Sequence, residues 1–447
     1  MNKEKFMQVL LKKAKESNFK DSEVYLNQSE NFEIRLYKGK VDYYEENEEY
    51  GIAFRGKDKK MGYSYTEKLD EDIIDILLNN AKNNAQIMEE DEEEIVGQND
   101  NYEKLKKLTG IYDYNREEKI DLLKEIEKNI YQLDERIKNI NYCIYADEKT
   151  GERIINSKGL QLNYENDIGY IYISVVAEDK GEVHTAAHYQ LFRELNEVNA
   201  VDFAKKVVND AVKKFNSKPV KSGSYKILLK NEVVIDLLST FSSTFSAENV
   251  QKGLSLFKDK LNQDVANSIV NIIDDPFYKK GYRRTPFDSE GAASKYKEVI
   301  KAGKLMTYLH NYKTAKKSDV ETTGNAYRGS HKSRISISPT NMYIKRGNLS
   351  FEELVEKVEN GLIIDEVQGL HSGANEVSGD FSLSARGFLI EDKEIKRPVE
   401  QITISGNFLQ LLKDIILIGD DFKMGLPGSG HFGSASVVVE SLDVSGL

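Results

Sequence analysis

The 447-residue chain has one cysteine, no tryptophan, six prolines and six histidines. With Cys143 alone, no disulfide can form within the chain, and zinc or iron–sulfur sites made only of cysteines are excluded. No apolar run approaches the roughly 18 residues that a membrane span needs, so no membrane association is expected. There is no long Lys/Arg stripe, and the net charge of −11 argues against a nucleic-acid partner. The opening "MNKEKFMQVLLKKAKES" is too charged for a signal peptide, and its apolar residues fall at helical spacing. These absences together imply a soluble cytoplasmic protein.

The length is enough for two or three domains at roughly 150 residues each, with sizeable cores and no staples. Phe6, Val9, Leu10 and Ala14 mark an amphipathic first helix. Alternating segments follow, with turns at Lys38-Gly39-Lys40 and Gly56-Lys57-Asp58. Helices are predicted near residues 71–84, 116–136 and 200–215, and residues 88–101 form a charged break. Between residues 141 and 192 the alternation predicts three or four strands, with turns at Gly151, Gly159 and Gly181. "NSKPVKSGSYK" is the best linker candidate. Beyond it come a buried-type strand, "KILLK", helix over 231–246 and on to about 260, and helices near 351–360 and 407–418. Glycine-dense loops cover 322–330, 369–380 and 425–433. The reading is α+β: two intertwined domains, residues 1–217 and 223–447, with mainly antiparallel sheets flanked by helices.

His184 and His188, in "GEVHTAAHYQLF", are the first candidate site, because a four-residue spacing on a helix aligns two imidazoles for a metal. The segment alternates, however, and reads as a strand opposite "YIYISVVAED". Strand residues four apart are separated by ~13 Å, too far to share one zinc. No histidine is followed by glutamate, so the HExxH pattern is absent. "GSGHFG" spells GxGxxG but precedes the strand-like "SASVVVESLDV" rather than a helix, which removes the dinucleotide reading. Ser372, Ser378 and Ser382 surround His371 with no GxSxG elbow to fix a base or an oxyanion hole. "DDPFYKKGYRRTPFDSEGAAS" gathers Asp274, Asp275, Asp288 and Glu290 with Arg283 and Arg284. Such carboxylates suit acid–base or metal chemistry, and equally suit capping and ion pairing in a loop.

Four long phrases then stand out: "TPFDSEG", "ETTGNAYRGS", "SGDFSLSARGFLIEDKEIKRPVEQITISGNF" and "GSASVVVESLDVSG". With the N-terminal "DSEVYLNQSENFEIRLYKGKVDYYEENEEYGIAFR", they make the chain resemble the TldD/PmbA family, within it the PmbA (TldE) branch. The resemblance spans nearly the whole chain. It implies two α+β domains, dimers, and a cytosolic metalloprotease formed by TldD and PmbA proteins together. That protease degrades unfolded proteins or small peptides in an enclosed chamber and is tied to microcin maturation and antitoxin turnover. The family's link to DNA gyrase is a genetic association. In TldD types, the resemblance implies a zinc helix with HExxxH in the C-terminal domain and a later cysteine ligand.

This chain departs from that pattern at both places. Residues 246–251 read "SAENVQ", with no histidine, and "GLPGSGHFGSAS" has no cysteine. Glu248 is left as an acid or base with no metal to serve, and His431 as a loop histidine or a contact to a partner's site. The expectation is a non-catalytic subunit with no catalytic, cofactor-binding or metal-ligating residues of its own. Zinc is expected in a TldD-like partner, and assembly as a heterodimer or a homodimer. The glycine loops at 322–330 and 372–380 are expected to hold extended peptide by strand addition. A stand-alone hydrolase using Asp288 and Glu290, and a homodimeric peptide-binding protein, remain as alternatives.

Overall fold

The computed structural model describes residues 1–87, 93–97, 101–105, 110–111 and 114–447. The charged break at 88–101 falls largely outside the described residues. Two compact units emerge: Met1–Asp91, Lys106–Phe215 and Ser330–Lys332 form the first, and Glu92–Leu105, Asn216–Gly329 and Ser333–Leu447 the second. No helix among the described residues is long and apolar enough to cross a membrane.

The first unit runs α1 (Lys3–Glu16), β1 (Asp21–Tyr37), β2 (Lys40–Lys57), β3 (Met61–Thr66), α2 (Glu71–Ile87), α3 (Arg116–Leu133), β4 (Ile137–Asn156), β5 (Gln161–Asp179), β6 (Glu182–Phe192) and α4 (Ala200–Val212). Its six strands form one antiparallel sheet in the order β3-β2-β1-β4-β5-β6. Lys38 and Gly39 both take positive φ, which matches a two-residue turn to the twist of the β1–β2 hairpin. Asn2 caps α1 by accepting the Lys5 N–H at 2.8 Å, and the helix buries Phe6, Met7, Leu10 and Ala14. One core packs α1 and α2 on the β1–β2 end of the sheet; a second packs α3 and α4 over β4, β5 and β6. Gly151 is not a turn. It lies inside β4, in register with Gln28 of β1. Residues 141–192 therefore hold three strands, with turns at Gly159 and Gly181.

The second unit continues with β7 (Gly223–Leu229), α5 (Asn231–Thr240), α6 (Ala247–Lys252), β8 (Ile272–Asp274), β9 (Lys297–Lys301), β10 (Lys304–Leu305), α7 (Tyr312–Lys317), β11 (Ala326–Tyr327), β12 (Ser336–Ile337), β13 (Asn341–Ile344) and α8 (Phe351–Val358). It ends with β14 (Gly361–Gln368), α9 (Leu370–Gly373), β15 (Asp380–Glu391), β16 (Glu394–Asn407), α10 (Phe408–Asp414), β17 (Ile415–Ile418), β18 (Lys423–Met424), β19 (His431–Ser434) and β20 (Val437–Ser445). Two six-stranded sheets result, β10-β9-β8-β13-β19-β18 and β16-β15-β14-β7-β20-β17. Between the named strands of the described residues, β7–β14 and β13–β19 pair in parallel.

Two helix boundaries differ from the sequence expectation. The helix expected to reach residue 260 stops at Lys252, because Gly253 turns left-handed (φ 74°) and closes α6. The helix expected over 407–418 ends at Asp414, where the β-branched "IILI" joins β20 as a strand.

Candidate functional site

His184 and His188 lie on β6, opposite Ala177 and Ile173 of β5. The strand reading holds, but the rings are more enclosed than half-exposed strand positions. His184 meets Phe215 edge-on at 5.1 Å and sits 3.6 Å from the Glu182 carboxylate. His188 is buried, 4.9 Å from the Phe203 ring of α4. Both imidazoles pack the sheet against its helix layer.

The segment where the resemblance implies a zinc helix is α6, entered through Ser246. Its polar side chains are committed to protein partners. Glu248 pairs with Lys252 at 2.6 Å, one helical turn on. Asn249 donates to the Ser243 carbonyl at 2.9 Å. Gln251 donates at 2.9 Å to both the Thr314 carbonyl and the Ser318 hydroxyl, tying α6 to α7. Ala247 donates its N–H to the Leu309 carbonyl at 2.9 Å. An amide, a paired carboxylate and a methyl do not make the imidazole and thiolate set that zinc prefers.

His431, in the late-ligand region, is neither in a loop nor free for a partner's site. It opens β19, fully buried; its Nδ1 accepts the Tyr282 N–H at 2.8 Å and its Nε2 faces the Gly425 carbonyl at 2.8 Å. That pair of contacts fixes the Nε2–H tautomer and occupies both ring nitrogens. The GxGxxG stretch leads into β19 and β20, with no helix to receive a pyrophosphate. Cys143 is buried in the first unit, where burial pushes its thiol pKa up. Among the described residues, no group of three or more His, Cys, Asp or Glu side chains could hold a metal ion.

The acidic cluster divides into separate structural pins. Asp274 is wholly buried, 2.9 Å from the Lys297 ammonium. It also accepts from Asn325 at 2.8 Å and from the Thr340 N–H and hydroxyl at 2.7 and 2.8 Å. Asp288 accepts three backbone N–H groups, of Glu290, Ala292 and Ala326, each at 2.9 Å. Burial still raises its pKa to about 6. Glu290 accepts the Tyr312 N–H at 2.9 Å and so anchors the start of α7. Asp275 accepts the Phe277 N–H at 2.9 Å, and burial raises its pKa. Arg283 lies over the Tyr327 ring at 4.2 Å, and Arg284 is buried. This is the bonding of a loop clamp, not of an open acid–base pair. Lys297, Asn325 and Thr340 complete it, and no sequence spacing marks Lys297 as the counter-ion. His310, before α7, was missed as well. It is buried, its Nδ1 has no hydrogen-bond partner among the described residues, and burial lowers its pKa to about 4.

Several backbone N–H groups in both glycine loops are already committed within the fold. In the first, Asn325 donates its N–H to His310, Ala326 to Asp288 and Arg328 to Ser289. In the second, the N–H groups of Val377 and Ser378 go to the Asn375 side chain, and that of Gly379 to the Asn375 carbonyl. Ser372 contacts the Gly369 carbonyl, Ser378 accepts the Asp380 N–H, Ser382 lies in β15 opposite Ser405, and His371 is exposed on α9. No hydrogen bond joins His371 to any of these serines among the described residues. The second unit does contain a cavity of about 660 Å³ beside α7. Tyr312, Ala315 and Lys316 line it from one helical face, with Ser294, Lys295 and Glu321 opposite. Thr314 and Ser318, the residues bonded to Gln251, lie on another face of the same helix.

Family models match most of the chain: PmbA/TldA metallopeptidase domain 1 at residues 22–85, the central domain at 110–215 and the C-terminal domain at 222–446. The chain is 27% identical over 336 residues to the metalloprotease PmbA homolog of Buchnera aphidicola subsp. Acyrthosiphon pisum, covering 75% of this chain and 72% of that protein. A Thermotoga maritima protein described as a modulator of a DNA gyrase superposes with a TM-score of 0.91 at 34% identity, over 99% of this chain and 100% of the other. TldE from Thermococcus kodakarensis shares the fold, with a TM-score of 0.89 at 21% identity, 99% of this chain and 100% of that one.

Proposed function

Because the chain belongs to the PmbA/TldA metallopeptidase family, we propose that it is a PmbA/TldE-type subunit of a cytosolic zinc protease, non-catalytic in itself. It would act beside a TldD-type subunit that carries the metal and cuts peptides or unfolded small proteins. The observation that carries this reading is Gln251. Within the segment where a zinc helix would lie, this side chain is a structural clamp between α6 and α7. The occupied nitrogens of His431 support it from the second ligand region. The cavity on the other side of α7 is where this chain would contribute to a peptide chamber, since its volume falls in the range of ordinary ligand sites.

The test is reconstitution. The chain is purified alone and together with a TldD-type protein encoded by the same organism, and peptide hydrolysis and chain stoichiometry are measured. Hydrolysis by the co-purified pair, abolished by removing zinc, with none from this chain alone, is the expected result. Robust hydrolysis by the isolated chain overturns the proposal.

A further inference from the structure

Strand β2 is longer than the strand that covers it. β3 pairs with Ile52–Lys57 alone, while β1 pairs along β2 from Lys40 to Lys57. Residues 40–50 thus leave one backbone edge unpaired among the described residues, about 36 Å long at roughly 3.3 Å per residue. From Lys40 to Glu49 the side chains are exposed, apart from half-buried Asn47. Exposed edges of this length recruit other strands unless something prevents it.

The charge on this edge is predominantly negative. Asp42, Glu45, Glu46, Glu48 and Glu49 face one lysine, Lys40. Register sets Glu33 directly opposite Glu45 and Glu30 opposite Glu48, an arrangement that costs the fold stability. Lys3 and Lys149 relieve two of these, Glu48 and Glu30. Tyr43 and Tyr44, each 38% exposed, carry guanidinium groups on their faces: Arg35 at 4.6 Å and Arg116 at 3.9 Å. The edge therefore combines unpaired backbone with surplus carboxylates, while its two tyrosine rings already carry the chain's own cations. A second copy of the same edge is repelled, since carboxylates would meet carboxylates.

We propose that the β2 edge at residues 40–50 is a docking site for an extended Lys/Arg-rich segment of another protein, which adds to the sheet as a seventh strand. This site is independent of any peptidase role, so its test does not stand or fall with the chamber. Full-length chain is titrated with a labelled ten-residue peptide alternating lysine and valine, with its glutamate–valine counterpart, and with the lysine peptide N-methylated at alternate residues. Fluorescence anisotropy is read at low and high salt. The lysine peptide is expected to bind, to weaken with salt, and to lose at least about tenfold in affinity on N-methylation and in the Asp42→Asn, Glu45→Gln, Glu46→Gln, Glu49→Gln variant. These are exposed positions, so circular dichroism should match the parent. Equal binding of the N-methylated peptide would show attraction without strand addition and overturn the proposal. So would preferred binding of the glutamate peptide, no binding of either, or a dimer of this chain that the same variant dissociates.

Discussion

The Gln251 side-chain amide donates to the Thr314 carbonyl at 2.9 Å, and its second bond, to Ser318, has the same length. This pair joins α6 to α7 within the segment where the family resemblance implies a zinc helix. Gln251→Ala should therefore lower stability by roughly 1–2 kcal/mol, the net value of one or two hydrogen bonds, and leave metal content unchanged. Urea unfolding with parallel metal analysis checks both. A loss of bound zinc would contradict the structural assignment.

His431 joins two chain segments, through Tyr282 and Gly425. Replacing it by leucine removes the partner of a partly buried N–H and of a buried carbonyl. A loss of roughly 2–4 kcal/mol is expected in chemical denaturation, with peptidase activity of a reconstituted pair falling only as far as folded protein falls.

Asp274 and Lys297 form a buried ion pair braced by Asn325 and Thr340. Asp274→Asn strands the ammonium, and roughly 3–5 kcal/mol should be lost. If the carboxylate were instead a reactive group, the same variant would keep its unfolding midpoint and lose activity, and denaturant titration beside a peptidase assay separates the two.

Two buried groups pull the pH dependence in opposite directions. His310, with its pKa lowered from 6.5 to about 4, contributes stability that is present above 6.5 and lost as pH falls toward 4. Asp288, raised from 3.8 to about 6, binds its proton more tightly when folded, so its contribution is lost as pH rises through the same interval. His310→Phe isolates the first. Relative to this variant, the parent should gain roughly 3 kcal/mol between pH 4 and 6.5, at about 1.4 kcal/mol per tenfold change in proton affinity. Unfolding midpoints across that range provide the measurement; a difference that is flat in pH would contradict it.

Much of the fold was legible because its signals are local. Phe6, Leu10 and Ala14 recur at helical spacing, and Lys38-Gly39 carries the turn chemistry of a tight hairpin. Gly253 was a stop signal that the expectation of a longer helix overlooked. The strand fate of "IILI" depends on pairing with β20, a tertiary contact that no window contains. The site divides in the same way. The missing histidines at 246–251 could be read directly, whereas the partners that occupy Asp274, Asp288 and His431 are brought together only by folding. In the glycine loops, folding commits the N–H groups of Ala326, Arg328 and Val377 to Asp288, Ser289 and Asn375, partners that the glycine spacing does not reveal.

The most direct test of the central claim is the zinc stoichiometry of the purified chain after loading with excess zinc and extensive dialysis, read by elemental analysis beside a TldD-type protein treated identically. Far less than one zinc per chain is expected here and close to one in the TldD type. One retained zinc per chain, lost on Gln251→Ala or His431→Leu, would contradict it.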